Sequence, residues 1–163
     1  MPIPNIPQPE ILTVSENLRL RKFDGIFEFA FPWYQDPELV WMVDGNRNPY
    51  SKEKLSRMYR YLDHQGELYF IEISDNGPWK PIGDVTFWRE DLPIVIGDPS
   101  CRGKGIGKAV IAALIQRGKN LGFDTLRVEE IYTWNIASRK CFESLGFRKC
   151  GKTHKGNQFL LDL

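Results

Sequence analysis

The sequence has little cysteine, no long apolar run and almost no net charge. Its three cysteines, Cys101, Cys141 and Cys150, lack metal-ligand spacing, and their odd number excludes a disulfide framework. A net charge of +1 argues against duplex nucleic acid as a partner. No stretch approaches the ~20 apolar residues of a membrane helix, and residues 1–7 lack the basic start of a signal peptide. We therefore expect a cytoplasmic protein with no metal, no nucleic-acid partner and no membrane association.

The length of 163 residues predicts a single domain. Residues 1–10 contain four prolines and predict an extended tail rather than a packed element, which leaves residues 11–163 for the domain. No internal repeat or low-complexity segment divides the chain.

Apolar periodicity predicts alternating helices and strands in this domain. Helices are expected to begin near Ile26, Glu38, Ser51, Gly103 and Asn135. With the two short helices near Ile26 and Glu38 counted as one, the order β-α-α-β-β-β-α-β-α-β-β predicts an α+β fold with one mixed, mostly antiparallel central sheet of about seven strands, flanked by helices. The predicted strands cover residues 18–23, 67–74, 81–89, 91–97, 126–132, 147–153 and 158–163.

The most informative segment is residues 102–108, Arg-Gly-Lys-Gly-Ile-Gly-Lys, which lies between a short apolar run and a long amphipathic stretch. Glycines let the backbone approach a ligand closely, and the helix that follows begins with unpaired N–H groups. These donors and the positive end of the helix dipole form an anion site, most often for phosphate. Arg102, Lys104 and Lys108 add positive charge, so we expect a phosphorylated ligand here.

Two common phosphate-binding motifs do not fit this segment. A Walker A loop has four residues before its Gly-Lys pair and a hydroxyl residue after it. Here five residues separate Gly97 from Gly103, and no hydroxyl residue follows Lys104. A Rossmann fingerprint needs a third glycine where this chain has Lys108 or Val110. A regulator that binds ATP through this loop is therefore disfavoured.

A second motif follows at residues 135–147, Asn-Ile-Ala-Ser-Arg-Lys-Cys-Phe-Glu-Ser-Leu-Gly-Phe. Asn135 is suited to cap a helix and to bond a ligand amide, and Gly146 to end that helix. Arg-x-x-Gly-x-Gly followed by this Asn helix resembles the Gcn5-related N-acetyltransferase (GNAT) superfamily, nearest to its aminoglycoside 6′-N-acetyltransferase and ribosomal-protein types. The resemblance is specific over residues 93–151.

The resemblance implies that the fourth and fifth strands of the sheet splay apart and that acetyl-CoA, the co-substrate, enters between them. It assigns the pyrophosphate to the glycine loop and the pantetheine arm to the strand before it. It also allows for a homodimer. The residues expected to contact acetyl-CoA are Ile96, Gly97, Arg102, Gly103, Lys104, Gly105, Ile106, Gly107, Lys108, Asn135, Ser138 and Phe142.

In such enzymes an amine attacks the thioester directly. A carboxylate or a water chain takes the amine proton, since a primary amine is mostly protonated at neutral pH. We favour Asp98 for this role, with Glu130 as the second candidate, and expect the backbone N–H of Gly97 or Asp98 to bind the oxyanion. Glu90 and Asp91 are expected to be solvated turn residues.

The chain departs from the family pattern at the proton donor for the leaving thiolate. The superfamily commonly has a tyrosine at the position of Phe142, and phenylalanine cannot donate a proton. Either the thiolate leaves unassisted or protonated by water, or Tyr132, Ser138 or Cys141 replaces the missing hydroxyl.

The acceptor site is expected near Trp33, Tyr34 and Asp36, which with Glu38 and Trp41 would form an aromatic and acidic wall for a cationic amine. The predicted function is acetyl transfer to a primary amine of a small cationic molecule, such as an aminoglycoside-like antibiotic. Two alternatives stay open: a protein or peptide amine as acceptor, and a non-catalytic acyl-CoA-binding module.

Overall fold

The computed structural model describes all 163 residues as eight strands, four α-helices and two 3-10 helices. The α-helices are α1 (Pro37–Asp44), α2 (Lys52–Gln65), α3 (Ile106–Asn120) and α4 (Ile136–Ser144), and the 3-10 helices are Glu28–Gln35 and Pro99–Cys101. The strands are β1 (Ile11–Ser15), β2 (Leu18–Lys22), β3 (Glu67–Ile73), β4 (Lys80–Phe87), β5 (Ile94–Ile96), β6 (Thr125–Tyr132), β7 (Arg148–Lys152) and β8 (Gly156–Asp162). No helix is long and apolar enough to cross a membrane.

The strands form two antiparallel sheets, in the orders β1-β2-β3-β4-β5 and β6-β8-β7. The predicted α+β fold is confirmed, but the expected single mixed sheet is divided into two. The division lies between β5 and β6, the fourth and fifth of the predicted strands, so the predicted splay is present.

The gap between β5 and β6 is a wedge that is closed at the beginning of these strands. The Arg127 N–H donates to the Arg89 carbonyl at 2.9 Å, and the Glu129 N–H donates to Asp91 Oδ1 at 2.9 Å. No such bond joins the strand ends, so the wedge opens toward Ile96. The two sequence motifs come after the ends of β5 and β6, beginning at Arg102 and Asn135, and therefore lie toward the open end.

The sheet containing β3 separates two apolar clusters. Alternate side chains of a strand point to opposite faces, and those of β3 divide accordingly. Tyr69 and Ile71 pack in the larger cluster with α3 and α4, whereas Leu68 and Phe70 pack in the smaller cluster with α1 and α2. The site at the wedge is therefore supported by a packed core on each face.

The amino-terminal segment differs from its prediction as a tail. Ile3 is buried, and the Gln8 side chain donates to the Leu68 carbonyl at 2.9 Å. Strand β1 was not predicted; it pairs with β2 at the edge of the sheet and alternates between half-buried and exposed residues. The segment after β2 forms a 3-10 helix instead of an α-helix, and Pro32 inside it lacks the N–H that an α-helix needs.

Asp84 on β4 is buried in the smaller cluster, where its ionisation is expected to make stability depend on pH. Its Oδ2 accepts the hydroxyls of Tyr34 and Tyr59 at 2.7 and 2.9 Å. Burial raises the pKa of Asp84 to about 6, although these two hydrogen bonds oppose the shift. The ionised form is therefore the unfavourable one in the folded state.

Replacing Asp84 by asparagine is expected to remove this pH dependence. Because the folded pKa lies above the unfolded value of about 3.9, the folded state binds the proton first. The wild type should then gain about 1.4 kcal/mol relative to Asp84→Asn for each pH unit lowered between about 6 and 4. Urea unfolding of both proteins at several pH values measures this difference, and parallel profiles would contradict it.

Candidate active site

The glycine loop before α3 presents a row of free backbone donors. None of the N–H groups of residues 103–108 has an acceptor within the chain, and the first turn of α3 contains no acidic residue. Gly103 and Gly105 have φ angles of +72° and +80°, and an added Cβ at either position would meet no atom within 4 Å. The left-handed backbone, not crowding, requires glycine there. The loop is an open anion site.

Arg102 holds this loop against the end of β5. Its Nε donates to the Ile96 carbonyl at 3.0 Å and its Nη2 to the Gly97 carbonyl at 3.4 Å, and Nη1 lies 3.8 Å from Asp36 Oδ2. Lys104 and Lys108 are exposed and have no ion-pair partner in the chain. The charge of Arg102 is thus partly used within the protein, and the two lysines are the cations left for a ligand.

The end of β5 offers one free donor to the wedge. The N–H groups of Gly97 and Asp98 both donate to the Ile82 carbonyl, at 2.7 and 3.0 Å, so neither is available for the expected oxyanion contact. Neighbouring residues of an antiparallel strand direct their N–H groups to opposite edges. The N–H of Ile96 therefore faces the wedge, where a pantetheine amide would lie.

Asp98 is a structural cap in this geometry. Its Oδ1 accepts the backbone N–H and the hydroxyl of Ser100 at 2.9 and 2.7 Å, and its Oδ2 accepts from Lys80 Nζ at 3.1 Å. The bonds from Ser100 and then from Lys80 lower the pKa of Asp98 to about 2. A carboxylate with this pKa is a poor proton acceptor at neutral pH, which argues against Asp98 as the base.

The predicted acceptor residues divide between the site and the core. Trp33 covers the end of β5 so closely that a Cβ on Gly97 would lie 2.2 Å from its indole ring. Asp36 caps α1 and faces Arg102. Tyr34, however, is fully buried and donates to Asp84, so it cannot contact a substrate.

The residues of the second motif also divide between the site and the core. Asn135 caps α4 through Oδ1, which accepts the Ser138 N–H at 3.2 Å, so its amide NH₂ is left to donate. Ser138 is half-buried. Phe142 is only 1% exposed and meets the Phe147 ring edge-on at 5.1 Å, so it belongs to the core and offers no surface to acetyl-CoA. The sequence-based assignment of Phe142 to the co-substrate is not supported by this position.

An aromatic stack joins α1 to the loop after β6. Tyr132 stacks on Trp134 at 4.7 Å, Trp134 on Trp41 at 4.3 Å, and the Arg47 guanidinium lies 4.4 Å from the Trp41 ring. The Trp134 indole N–H donates to the Trp41 carbonyl at 3.0 Å. Trp134 was not predicted from the sequence to belong to the site, although its position directly before Asn135 was a signal that could have identified it.

Tyr132 is the hydroxyl that this stack brings to the end of β6. Burial, followed by the nearby charges of Glu130 and Asp44, raises its pKa, so the phenol is protonated at neutral pH. Glu130 is exposed, and its carboxylate accepts the hydroxyl of Thr153. A proton donor and a carboxylate therefore lie within electrostatic reach of each other at the end of β6, and both residues were predicted as candidates from the sequence.

Solved structures with this fold are numerous. A domain from Methanocaldococcus jannaschii has a TM-score of 0.79 at 22% identity, covering 91% of this chain and 100% of the other. RimL, a ribosomal L7/L12 alpha-N-protein acetyltransferase in complex with coenzyme A, has a TM-score of 0.75 at 19% identity, covering 94% of this chain and 98% of the other. Aminoglycoside acetyltransferase AAC(6′)-Ib in complex with coenzyme A has a TM-score of 0.69 at 18% identity, covering 89% of this chain and 94% of the other. At these identities the likeness establishes the shared fold.

Two curated proteins are similar in sequence. Protein SPT10 of Saccharomyces cerevisiae is 43% identical over 31% of this chain, and the uncharacterized protein MJ1062 of Methanocaldococcus jannaschii is 25% identical over 83% of it. The chain spans only 8% and 28% of their respective lengths. A family model, described as the acetyltransferase (GNAT) family, matches residues 27–147, most of the chain and both motifs. This match confirms the family that the two motifs predicted: the chain belongs to the acetyltransferase (GNAT) family.

Proposed function

We propose that the protein transfers the acetyl group of acetyl-CoA to a primary amine of a small cationic molecule by direct attack. The observation that carries this proposal is the row of free N–H groups at residues 103–108, at the open end of the wedge. The two similar acetyltransferases solved with coenzyme A support the choice of co-substrate. Three free cysteines suit a reducing compartment, so we propose a cytoplasmic location.

Different residues at the wedge would bind different parts of acetyl-CoA. The N–H groups of residues 103–108, with Lys104 and Lys108, would bind the pyrophosphate. The N–H of Ile96 and the side chains of Asn135 and Ser138 would bond the more distal amide and hydroxyl groups. The bound thioester supplies the electrophilic carbonyl carbon that the amine attacks.

In the transfer step a C–N bond forms and the C–S bond of the thioester breaks. The amine loses a proton, and we assign its uptake to Glu130, directly or through water, because Asp98 is held ionised by Lys80 and Ser100, whereas Glu130 accepts a neutral hydroxyl from Thr153. The departing thiolate gains a proton, and we assign its donor to Tyr132. Tyr132 thereby takes the role of the tyrosine that the family commonly has at the position of Phe142.

The charge around the wedge favours a cationic acceptor. Asp36 and Asp44 are each paired with one cation, Arg102 at 3.8 Å and Lys54 at 3.1 Å, which leaves Glu130 near Tyr132 as the carboxylate without an ion-pair partner. The stack of Tyr132, Trp134 and Trp41 adds aromatic faces that attract cations. A protein or peptide amine is the second candidate, since RimL acts on a ribosomal protein and has a similar fold. The buried Phe142 in place of a proton donor keeps a non-catalytic acyl-CoA-binding module as the third.

The test combines two measurements. Isothermal titration with acetyl-CoA establishes binding, and release of the CoA thiol is then followed with an aminoglycoside, a polyamine and short peptides as acceptors. Turnover with a small amine supports the proposal, and turnover only with peptides supports the second candidate. Binding without turnover on any amine supports the third. Absence of acetyl-CoA binding would overturn all three.

Replacing Tyr132 by phenylalanine tests the assigned proton donor. We expect kcat to fall by about 100-fold, the low end of the usual contribution of a general acid, with acetyl-CoA affinity unchanged. The control is Thr13→Val, which removes an exposed hydroxyl on β1, the strand at the opposite edge of the sheet from β5. A Tyr132→Phe variant with wild-type kcat at every pH would assign thiolate protonation to water or to another side chain.

A further inference from the structure

A cavity lies beside the closed end of the wedge. Its volume is about 360 Å³, and it is lined mainly by the end of α2, by the end of β4 with the segment that leads to β5, and by β6. Val128 packs in the larger cluster, so its neighbours Arg127 and Glu129 point to the opposite face, that of α2. Side chains with polar or aromatic groups dominate the lining: Tyr61, Thr86, Trp88, Asp91, Arg127 and Glu129.

The lining carries negative charge that the protein does not neutralise. Glu90, which also borders the cavity, is paired with Arg89 at 3.3 Å and Arg127 at 3.7 Å. Asp91 and Glu129 have no ion-pair partner. Asp91 Oδ1 accepts the N–H groups of Leu92 and Glu129, both within 3.0 Å, whereas Oδ2 has no donor. The arrangement leaves one carboxylate oxygen of Asp91 for a ligand.

Thr86 provides an independent sign that a polar ligand belongs in the cavity. The residue is 2% exposed, and its Oγ1 is the buried side-chain oxygen or nitrogen of this protein that lacks a hydrogen-bond partner. Its methyl carbon faces Gly66, 3.0 Å from where a Cβ would stand. A buried hydroxyl without a partner is unfavourable, and because Thr86 borders the cavity, an ammonium that reached Oγ1 from there would donate the missing hydrogen bond.

We infer that this cavity binds a primary ammonium group through Asp91, Glu129 and Thr86. The inference rests on the proposed function and specifies its acceptor: a molecule with a second amine besides the one that is acetylated. Pro93 borders the cavity, and Ile96, three residues further along the extended chain, lies where the pantetheine arm would bind. At the rise of a strand this separation is about 10 Å, so the two amines should be no further apart than that.

Titration calorimetry with two probes tests the inference. Spermidine, a linear triamine, can place one ammonium in the cavity while another reaches the wedge, whereas butylamine has a single amine. We expect spermidine to bind the wild type about tenfold more tightly. Asp91→Asn keeps an oxygen for the Leu92 and Glu129 N–H groups but removes the charge, and should erase this preference. The matched control, Glu16→Gln, removes an exposed carboxylate in the β1–β2 turn and should leave the preference unchanged.

Thr86→Val separates a binding role from a structural one. Valine has the same shape without the unpaired hydroxyl, so the melting temperature should be unchanged or higher while spermidine affinity falls about threefold or more. Unchanged spermidine affinity in both Asp91→Asn and Thr86→Val, or equal affinity of the wild type for the two amines, would overturn the inference.

Acetyl-CoA titrated into the same proteins distinguishes the two proposals. Normal acetyl-CoA binding without a spermidine preference rejects the ammonium site and leaves the proposed function standing. A spermidine preference that depends on Asp91, in a protein that does not bind acetyl-CoA, supports the site and rejects the proposed function.

Discussion

Replacing Gly105 by aspartate is expected to weaken acetyl-CoA binding by about 100-fold or more, equivalent to about 2.7 kcal/mol. Gly105 is the N-cap of α3, and its φ of +80° is a backbone conformation that aspartate tolerates better than most residues. The new carboxylate would accept the free N–H groups at the start of α3 and occupy the anion site itself. It would also repel the pyrophosphate. Isothermal titration measures the loss.

The control for this variant lies at the other end of the same helix. Gly122 also has a φ of +80° and no atom within 4 Å of an added Cβ, so Gly122→Asp imposes the same backbone strain without a charge in the loop. We expect wild-type affinity from Gly122→Asp and a free energy of unfolding within about 1 kcal/mol of wild type for both variants. If both variants lost affinity equally, the loss would come from strain, and the loop would not be the pyrophosphate site.

The sequence predicted the parts of this site that depend on local signals. The glycine loop is one such part, because a left-handed backbone and a following helix are written in neighbouring residues. The capping role of Asn135 is another, since its partner Ser138 is three residues away. The resemblance to the family predicted the wedge. The two motifs identified the family, and each comes after a strand that borders the wedge.

The sequence could not predict contacts between residues far apart in the chain. Asp98 looked free because its partner Lys80 lies on the neighbouring strand. Tyr34 looked accessible because the chain gives no sign of Asp84, 50 residues later, as its partner. Asp91 was expected to be a solvated turn residue, yet it bonds to β6 at Glu129 and borders the cavity beside α2.

The amino-terminal segment was mispredicted for the same reason. Its prolines do suit an extended chain, but that chain is held by groups distant in sequence. Gln8 bonds to β3, and the Pro7 carbonyl accepts from Arg117 on α3 at 3.4 Å. Composition describes the conformation of such a segment and says little about whether it is packed.

Arg117 carries the largest expected effect on stability. Its Nε and Nη2 donate to the two carboxylate oxygens of Glu67, both at 2.7 Å, and Glu67 is fully buried. Arg117→Ala would leave that carboxylate with only the Tyr69 hydroxyl, at 2.9 Å. Removing one partner of a buried ion pair costs about 3–5 kcal/mol, which is a large fraction of the stability of a typical domain. Urea unfolding followed by circular dichroism measures the change.

Two further variants show whether the loss comes from the stranded charge. Arg148 pairs with Asp162 at 2.9 Å on the surface, where an ion pair contributes about 1 kcal/mol or less, so Arg148→Ala should be nearly neutral. Adding Glu67→Gln to Arg117→Ala replaces the buried charge by a neutral amide and should restore part of the stability. A double variant no more stable than Arg117→Ala would instead attribute the loss to the packing of the arginine side chain against Phe87, whose ring centre lies 5.8 Å from the guanidinium.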